Sequence, residues 1–523
     1  MINMKRFSVW IKVLGLILAL SPLTAPPSLA KDYIEGLDEW PVMPLRTAVQ
    51  LGLEQNFDLR AGALNPAIAD RDHTAAEARF DVSVDAAVSA QGNRQPERVP
   101  LIDQEGRSLA AEAGLSKVFR TGLDGRLSLQ TARSSDNLAQ SGRSPEYATA
   151  LLLDLTQPLL RDFGSSVNTA DLRIADTRRR HATLGYLDQA QRVAEAIESG
   201  YFDLAQAIET YRYRIESRDL AQELLEGNRE KLEAGIIPVS EVQEAETAVA
   251  ARDELVLLAR QEVETAGNRL KGLLGIKQEY PLSRNFYRTE PMPGPDQPFP
   301  QVEQALEQAL DDRPDLASRR LEVENRQIRL EFDRNQTLPR LDLQATLAVN
   351  GLSGEDGAGT SSRRDYIDSL DGMAGADGYG WFAGVGFSYP LENRAAKALH
   401  DRSRLEKRQA VYDVKGLETT VETEIINALI RVKRGLERVR VAGRFEALAD
   451  LTLKQEMERL VEGLSDTFRI LDFQDDVIDA RIRNITAQAD VNRGLASLHR
   501  AMGNNLERLG VTVKTFDKEQ FHE

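Results

Sequence analysis

Residues 187–215 read LDQAQRVAEAIESGYFDLAQAIETYRYRI, and within them an apolar or aromatic side chain recurs at alternating steps of three and four residues. The positions are Leu187, Ala190, Ala194, Ile197, Tyr201, Leu204, Ile208, Tyr211 and Ile215. This is the heptad spacing of a left-handed coiled coil, whose apolar seam faces a partner helix. The stretch therefore predicts a long helix packed lengthwise against another.

Two further stretches keep the same spacing and supply candidate partner helices. They run over residues 242–273, where Arg252 is the only charged member, and over residues 470–501. Uninterrupted helices over 167–232 and 395–461 would each reach about 100 Å at about 1.5 Å per residue. Each has room for two helices of about 35 residues placed end to end. The predicted pairs of short helices are 45–79 with 239–274, and 302–336 with 468–502.

The chain contains an internal repeat. The segment LRTAVQLGL at 45–53, followed by Phe57-Asp58-Leu59, recurs as VEQALEQAL at 302–310, followed by Pro314-Asp315-Leu316. Asp58 therefore corresponds to Asp315. We divide the chain into a signal peptide (1–30), a first repeat (31–290), a Pro-rich linker (291–300), a second repeat (301–510) and a tail (511–523).

Four short stretches suit β-strands placed between the helices. Residues 80–90 and 340–349 alternate with a period of two, and 148–157 and 381–389 end before Pro158 and Pro390. In the last stretch Trp381, Phe387 and Tyr389 share one face with other apolar residues, which is typical of a lipid-facing barrel strand. An additional hairpin over 109–119 and 123–131 has no counterpart in the second half. It either widens a barrel or lies in an external loop.

Composition excludes several classes of function. The 523 residues carry a net charge of -16, which disfavours nucleic acid and other polyanions as partners. Cysteine is absent and only five histidines occur, so thiol catalysis, disulfides and His- or Cys-ligated metal sites are not expected. Nothing in the sequence resembles a nucleophile-base arrangement. We therefore expect no enzymatic activity, no cofactor and no bound metal.

The first 30 residues predict export. Lys5, Arg6 and Lys12 precede an apolar run, and Ser28-Leu29-Ala30 forms a small-residue cleavage site. No later stretch approaches about 18 consecutive apolar residues, so spanning helices are not expected.

With these features together, the chain resembles the TolC-like outer-membrane efflux proteins. The resemblance rests on the signal peptide, the duplicated halves, the phrase LTQPLLRDFG at 155–164, and two related segments, AGIIPVSEVQ at 234–243 and EGLSDTFRILDFQ at 462–474. It implies a mainly α fold with a β-barrel part. Three chains would form a periplasmic α-helical tunnel, each adding about four strands to a shared 12-stranded barrel. It further implies an outer-membrane location.

The resemblance also implies partners. A periplasmic adaptor and an inner-membrane pump of the RND or ABC type would dock at the tips of the helical hairpins, and drugs, metals or polypeptides would be exported passively. The candidate adaptor contacts are Gly235, Ile236, Pro238, Gly463, Leu464 and Ser465. The surrounding outer-membrane lipid is the remaining partner.

In this family the tunnel end is closed by polar links between hairpins and by acidic rings. Ser240 and Glu241 match link positions, and Asp472 matches a ring acid. Arg469, Ser465 and Leu460 stand where the family has a second ring acid, a linking arginine and a linking tyrosine. We therefore consider a pairing of Arg469 with Glu241, or with Asp472 of a neighbouring chain.

The acids near the second tip have an alternative interpretation. Asp466, Asp475 and Asp476 occur early in a predicted helix, where carboxylates stabilise the positive end of the helix dipole. The heptads alone also fit a different class of protein, a periplasmic coiled-coil scaffold or adaptor without a pore. The duplicated strands favour the channel.

Overall fold

The computed structural model describes residues 37, 40–95, 104–136, 144–277, 287–294, 298–354 and 362–513. The predicted signal peptide lies outside these residues, as do parts of the linker and of the tail. The helices of the first half are α1 (Leu45–Gln55), α2 (Phe57–Gly62), α3 (Leu64–Glu77), α4 (Ser165–Asn168), α5 (Ala170–Glu233) and α6 (Val239–Leu273). Those of the second half are α7 (Val302–Asp312), α8 (Pro314–Asn335), α9 (Ser362–Ala374), α10 (Arg394–Val461), α11 (Thr467–Met502) and α12 (Asn505–Leu509).

The heptads lie at buried helix interfaces, as predicted. Ile197, Ile208 and Tyr211 on α5 are almost completely buried, and Val263 on α6 packs in the same cluster. A second cluster joins α10 and α11. The mainly α fold with long antiparallel helix pairs is therefore confirmed, and the two longest helices begin and end within three residues of the predicted bounds.

The short helices preceding the strands are not continuous, contrary to our prediction. In the first half the chain leaves helical geometry at Asn56, whose side chain caps α2 by accepting a hydrogen bond from the Leu59 amide at 3.0 Å. In the second half Arg313 is extended, with ψ of 119°, because the ring of Pro314 disfavours a helical conformation in the preceding residue. At each break the chain passes close to the end of another helix, α6 in the first half and α11 in the second.

One six-stranded antiparallel sheet is attached to the helices. Its strands are β2 (Ser83–Gln95), β3 (Gln104–Val118), β4 (Asp124–Asp136), β5 (Glu146–Pro158), β7 (Arg340–Gly354) and β8 (Gly378–Ser388), hydrogen-bonded in that order. The extra hairpin is β3–β4. It lies inside the sheet, so the sheet of one chain has six strands where the family resemblance implied about four.

Two smaller features complete the fold. The strands β1 (Val42–Met43) and β6 (Arg288–Thr289) pair in parallel beside the middle of α5. The phenol of Tyr201 fixes this pair, since its hydroxyl donates to the Met43 carbonyl at 2.8 Å and accepts from the Glu290 amide at 2.6 Å. Burial raises the pKa of Tyr201 to about 12. Among the helices of the described ranges, none combines the length and the apolar character that crossing a membrane requires.

Candidate functional site

The two faces of the sheet differ in chemistry. Cross-strand partners point to the same side, so the register assigns every residue to a face. One face is apolar and includes Val84, Val88, Leu115, Leu127, Leu129, Leu151, Leu153, Leu343, Leu347, Trp381, Val385 and Phe387. The other face carries Asp85, Glu112, Arg126, Gln130, Asp154, Gln344 and Thr346. This alternation is the pattern of a strand between lipid and a polar lumen.

Exposed aromatic side chains lie on the apolar face of β8. Trp381 is 73% exposed and pairs with Leu347, the central residue of β7. Phe387 is 68% exposed near the end of β8 that leads to the long helix, and Tyr389 follows β8 as a half-buried residue. Exposed aromatic residues on the apolar side of a strand are typical of membrane barrels.

A cluster of three charged side chains lies on the polar face of β2, β3 and β4. Nη2 of Arg126 on β4 lies 2.7 Å from Oδ2 of Asp85 on β2 and 2.9 Å from Oε1 of Glu112 on β3. Farther along the sheet, Thr346 donates to Asp154 at 2.7 Å. Polar partners thus join neighbouring strands on this face.

The two long helices turn back at similar hairpin tips. Gly235 and Gly463 both have φ of +72°, a left-handed conformation that glycine adopts without a Cβ penalty. The amides of Ile236 and Leu464 donate back to the carbonyls of Lys231 and Arg459, which closes each helix end. Ile236 and Leu464 themselves are 71% and 61% exposed.

The residues after each tip begin the returning helices. Pro238 is the N-cap of α6, and the preceding Gly235 and Ile236 form the exposed apex of the first tip. Asp466 is the N-cap of α11, and its carboxylate accepts from the Arg469 amide at 2.9 Å. The capping interpretation therefore explains the position of Asp466. Ser240 and Asp472 are both exposed.

Arg469 does not pair with Glu241 inside the chain, contrary to one arm of our hypothesis. Its Nη1 lies 3.7 Å from Oε1 of Glu456, a buried carboxylate on the last turns of α10. Ser465 donates to the same oxygen at 2.6 Å, and Arg459 lies 3.3 Å from the other oxygen. The buried carboxylate attracts both arginines, so this cluster ties the second tip together internally.

Glu241 does form a link between the two hairpins, but with a different partner. The buried hydroxyl of Thr467 on α11 donates to Glu241 Oε2 on α6 at 2.8 Å. Asn228 on α5 donates to the same hydroxyl at 2.8 Å. Three helices therefore meet at one polar contact next to the tips.

A stronger link lies farther from the tips and centres on Arg252 of α6, which is only 3% exposed. Its guanidinium donates to Asp475 at 2.8 Å and to Gln474 at 2.8 Å, and also reaches the Leu471 carbonyl at 3.1 Å. All three acceptors lie on α11, and a further bond goes to the Ser217 carbonyl on α5 at 3.1 Å.

In the heptad pattern of the sequence, Arg252 stands out only as the single charged member of its stretch. A charge at a seam position is the sequence signal that points to such a link, because a buried charge requires partners. Asp475, which the sequence assigned only to the helix dipole, is one of those partners. Within the described residues, no group of three or more His, Asp or Glu side chains is arranged to hold a metal ion.

The fold matches several solved structures over nearly its whole length. The outer-membrane channel OprN has a TM-score of 0.64 at 17% identity, with 88% of this chain and 89% of that chain covered. The Campylobacter jejuni CmeC outer membrane channel has 0.61 at 16% identity, with 91% and 90% covered. The outer membrane protein VceC from Vibrio cholerae has 0.62 at 15% identity, with 88% and 96% covered. No curated protein matches the chain.

These likenesses define the class: the chain has the fold of outer-membrane channels. Residues 305–504 in addition match the family model described as outer membrane efflux protein. The resemblance read from the sequence is therefore confirmed over this part of the chain. The description of that family agrees with the outer-membrane location and the efflux role expected from the sequence.

Proposed function

We propose that three copies of this chain form the exit duct of a tripartite efflux or type I secretion system. The duct passively conducts substrates that an inner-membrane pump of the RND or ABC type delivers through a periplasmic adaptor. The observation that carries this proposal is the two-sided sheet, apolar on one face and polar on the other, joined in one chain to helices of about 100 Å.

The hairpin tips are suited to bind the adaptor. Apolar side chains stand exposed around both turns, including Ile236 and Val239 at the first and Leu464 and Phe468 at the second. Clustered exposed apolar residues favour a protein partner over bulk water. The adaptor therefore docks on these two turns, while Gly235 and Gly463 supply the tight backbone geometry. Export requires no chemistry in this chain, since the pump supplies the energy.

The links between the hairpins keep the tunnel closed. Arg252 lies 13 residues into α6, so its contacts with α11 are about 20 Å from the tips. Between Arg252 and the tips, the polar links between the two hairpins that the described residues form are smaller, such as the contact of Thr467 with Glu241. When the tunnel opens, the two tips move apart. The contact between Arg252 and Asp475 stays closed and sets how far along the helices this separation extends.

We test this role of Arg252 with Arg252→Met, which removes the charge and retains an apolar side chain in the seam. The expected result is a several-fold rise in single-channel conductance, because the stronger of the two polar links between α6 and α11 is lost. Arg229→Met is the matched control, since Arg229 pairs with Glu246 inside the first hairpin and not across hairpins. Equal conductance of Arg252→Met and wild-type trimers contradicts the role.

The overall function is tested by single-channel recording in planar bilayers, with the oligomeric mass measured in the same detergent. A trimer with a small, cation-preferring conductance is expected from the acidic chain. A soluble species without conductance contradicts the channel and favours the coiled-coil scaffold.

A further inference from the structure

The hairpin β3–β4 is an integral part of the sheet and not an appendage. β3 pairs with β2 from Gln95↔Gln104 to Ser83↔Ser116, and with β4 from Gly106↔Asp136 to Val118↔Asp124. On its other side β4 pairs with β5 from Asp124↔Thr156 to Ser134↔Glu146. Both hairpin strands therefore have their backbone groups satisfied on both edges, as in strands inside a wall.

The hairpin also repeats the two-sided pattern of its neighbours. Leu115, Leu127 and Leu129 lie on the apolar face of the sheet, whereas Glu112 and Gln130 lie on the polar face. A hairpin in an external loop is surrounded by water and has no need of such alternation. The pattern indicates that β3 and β4 separate lipid from lumen like the other four strands.

The turn of the hairpin is built into the junction between the sheet and the helices. The Gly164 amide donates to the Thr121 carbonyl at 3.1 Å, and Arg120 pairs with Glu77 at 3.0 Å. Gly122 has φ of +92°, and a Cβ on it would lie 2.6 Å from the Asp162 carbonyl oxygen. Such close packing fixes the hairpin at the same level as the ends of β2 and β5.

The two edge strands of the sheet can pair with the edge strands of neighbouring copies of the chain. β2, with 13 residues, and β8, with 11, are the two edge strands of the sheet in the described part of the chain. With six strands per chain, β2 and β8 run in opposite directions, so β8 of one copy and β2 of the next form an antiparallel pair. Closure of a membrane sheet removes exposed edges, which lipid does not tolerate.

We propose that three chains close an 18-stranded barrel, wider than the 12-stranded one that the family resemblance implied. The inference rests on the trimer of the proposed function. Strands about 4.8 Å apart and tilted by about 40° give a backbone diameter of about 36 Å for 18 strands and about 24 Å for 12. Subtracting about 10 Å for inward side chains leaves a lumen of about 26 Å, enough for a solute as thick as two packed helices of about 10 Å each.

The wide barrel agrees with the helical part of the chain. Four helices per chain, α3, α5, α8 and α10, adjoin the strands, so a trimer presents twelve. At spacings of 8–10 Å these give a ring of about 96–120 Å, close to the circumference of about 113 Å for 18 tilted strands. The barrel is then not the narrowest point of the duct, and the tips control the flow.

The direct test is cryo-electron microscopy of the full chain in lipid nanodiscs, with the mass of the particle measured on the same sample. A trimer with 18 wall strands is the expected result. A trimer with 12 wall strands and the hairpin outside the wall overturns the wide barrel and leaves the proposed channel intact. A particle that is not a trimer overturns both.

A labelling experiment tests the hairpin without relying on a deletion that affects folding. The chain has no cysteine, so Leu129→Cys and Gln130→Cys each introduce a single thiol at adjacent positions on opposite faces of β4. A membrane-impermeant maleimide applied to trimers in nanodiscs is expected to label Gln130→Cys and to leave Leu129→Cys unlabelled. Labelling of both, or of neither, overturns the assignment of the hairpin to the barrel wall.

Discussion

The junction between the first two helices of each repeat is built with different chemistry in the two halves. In the first half Asn56 donates through its amide to the Leu273 carbonyl, at the end of α6, at 2.9 Å. In the second half the corresponding residue is Arg313, which donates to the Ala501 carbonyl, near the end of α11, at 3.1 Å. Both side chains are buried and both close the end of a returning helix.

The backbone around the two junctions is nevertheless the same. Two residues after each accepting carbonyl stands a glycine in the left-handed conformation, Gly275 with φ of +71° and Gly503 with φ of +81°. A Cβ on Gly275 would lie 2.4 Å from the Gln55 carbonyl oxygen, and one on Gly503 would lie 3.0 Å from that of Asp312. The duplication has therefore kept the close approach of two backbones and has allowed the side chain to change.

The change at the junction brings further charges in the second half. Arg313 forms a two-pronged pair with Asp315 at 3.0 and 2.7 Å, and its Nη1 lies 2.6 Å from Glu424 on α10. Asp58, which corresponds to Asp315, is exposed in the first turn of α2. One junction is a neutral cap and the other is an ionic cluster, which predicts different responses to substitution and to pH.

The largest effect is expected for Arg313→Met. The substitution removes the buried guanidinium that binds both Asp315 and Glu424, and should lower the free energy of unfolding by about 2–4 kcal/mol. The measurement is the urea midpoint of the purified protein in detergent. Arg320→Met on α8 is the control, because Arg320 is half-exposed in its pair with Glu418 and should cost less than about 1 kcal/mol. A cost at Arg313 no larger than at Arg320 contradicts the ionic junction.

The second prediction concerns the close backbone contact that both junctions share. Gly275→Ala should destabilise by about 2–3 kcal/mol and Gly503→Ala by about 1–2 kcal/mol, since both need a left-handed residue and the gap at Gly275 is smaller. Gly416→Ala in the middle of α10 is the control, because a Cβ there meets no atom within 4 Å. It should stabilise the helix by up to about 1 kcal/mol. Thermal melting followed by circular dichroism measures all three, and an equal response at Gly275 and Gly416 would show that the contact is unimportant.

The junctions also show what the sequence predicted and what it did not. The helix bounds followed from the heptads, because burial of a seam depends on local spacing along one helix. The breaks at Asn56 and Arg313 were missed, although Pro314 is a local signal for the second. The partners of charged side chains were also missed, since the contacts of Arg252 with α11 and of Arg469 with Glu456 depend on which helices become neighbours. The sequence likewise predicted the extra hairpin, which is a local feature. Its position between β2 and β5 could not be predicted, because it depends on the order of strands in the folded sheet.

A smaller effect is expected for Asn56→Ala in the first repeat. The substitution removes the cap of α2 and the bond to the Leu273 carbonyl, and should cost about 1–2 kcal/mol. Asn56→Asp separates the two contributions, because a carboxylate still caps α2 but cannot donate to the carbonyl. Urea midpoints should therefore rank wild type above both variants. A variant Asn56→Ala as stable as wild type would mean that Gly275 alone defines the first junction.

The smallest effect is the pH response of the ionic junction. Burial tends to raise the pKa of Asp315, but the hydrogen bonds and charge of Arg313 outweigh it and hold that pKa below its usual range. Stability from this carboxylate is therefore present above about pH 4, the unfolded value, and is lost as the pH falls through the lower folded value. Asp315→Asn should flatten the fall in urea midpoint between neutral pH and about pH 3. If the urea midpoint of Asp315→Asn falls as steeply with acid as that of the wild type, the ionic junction does not derive its stability from this charge.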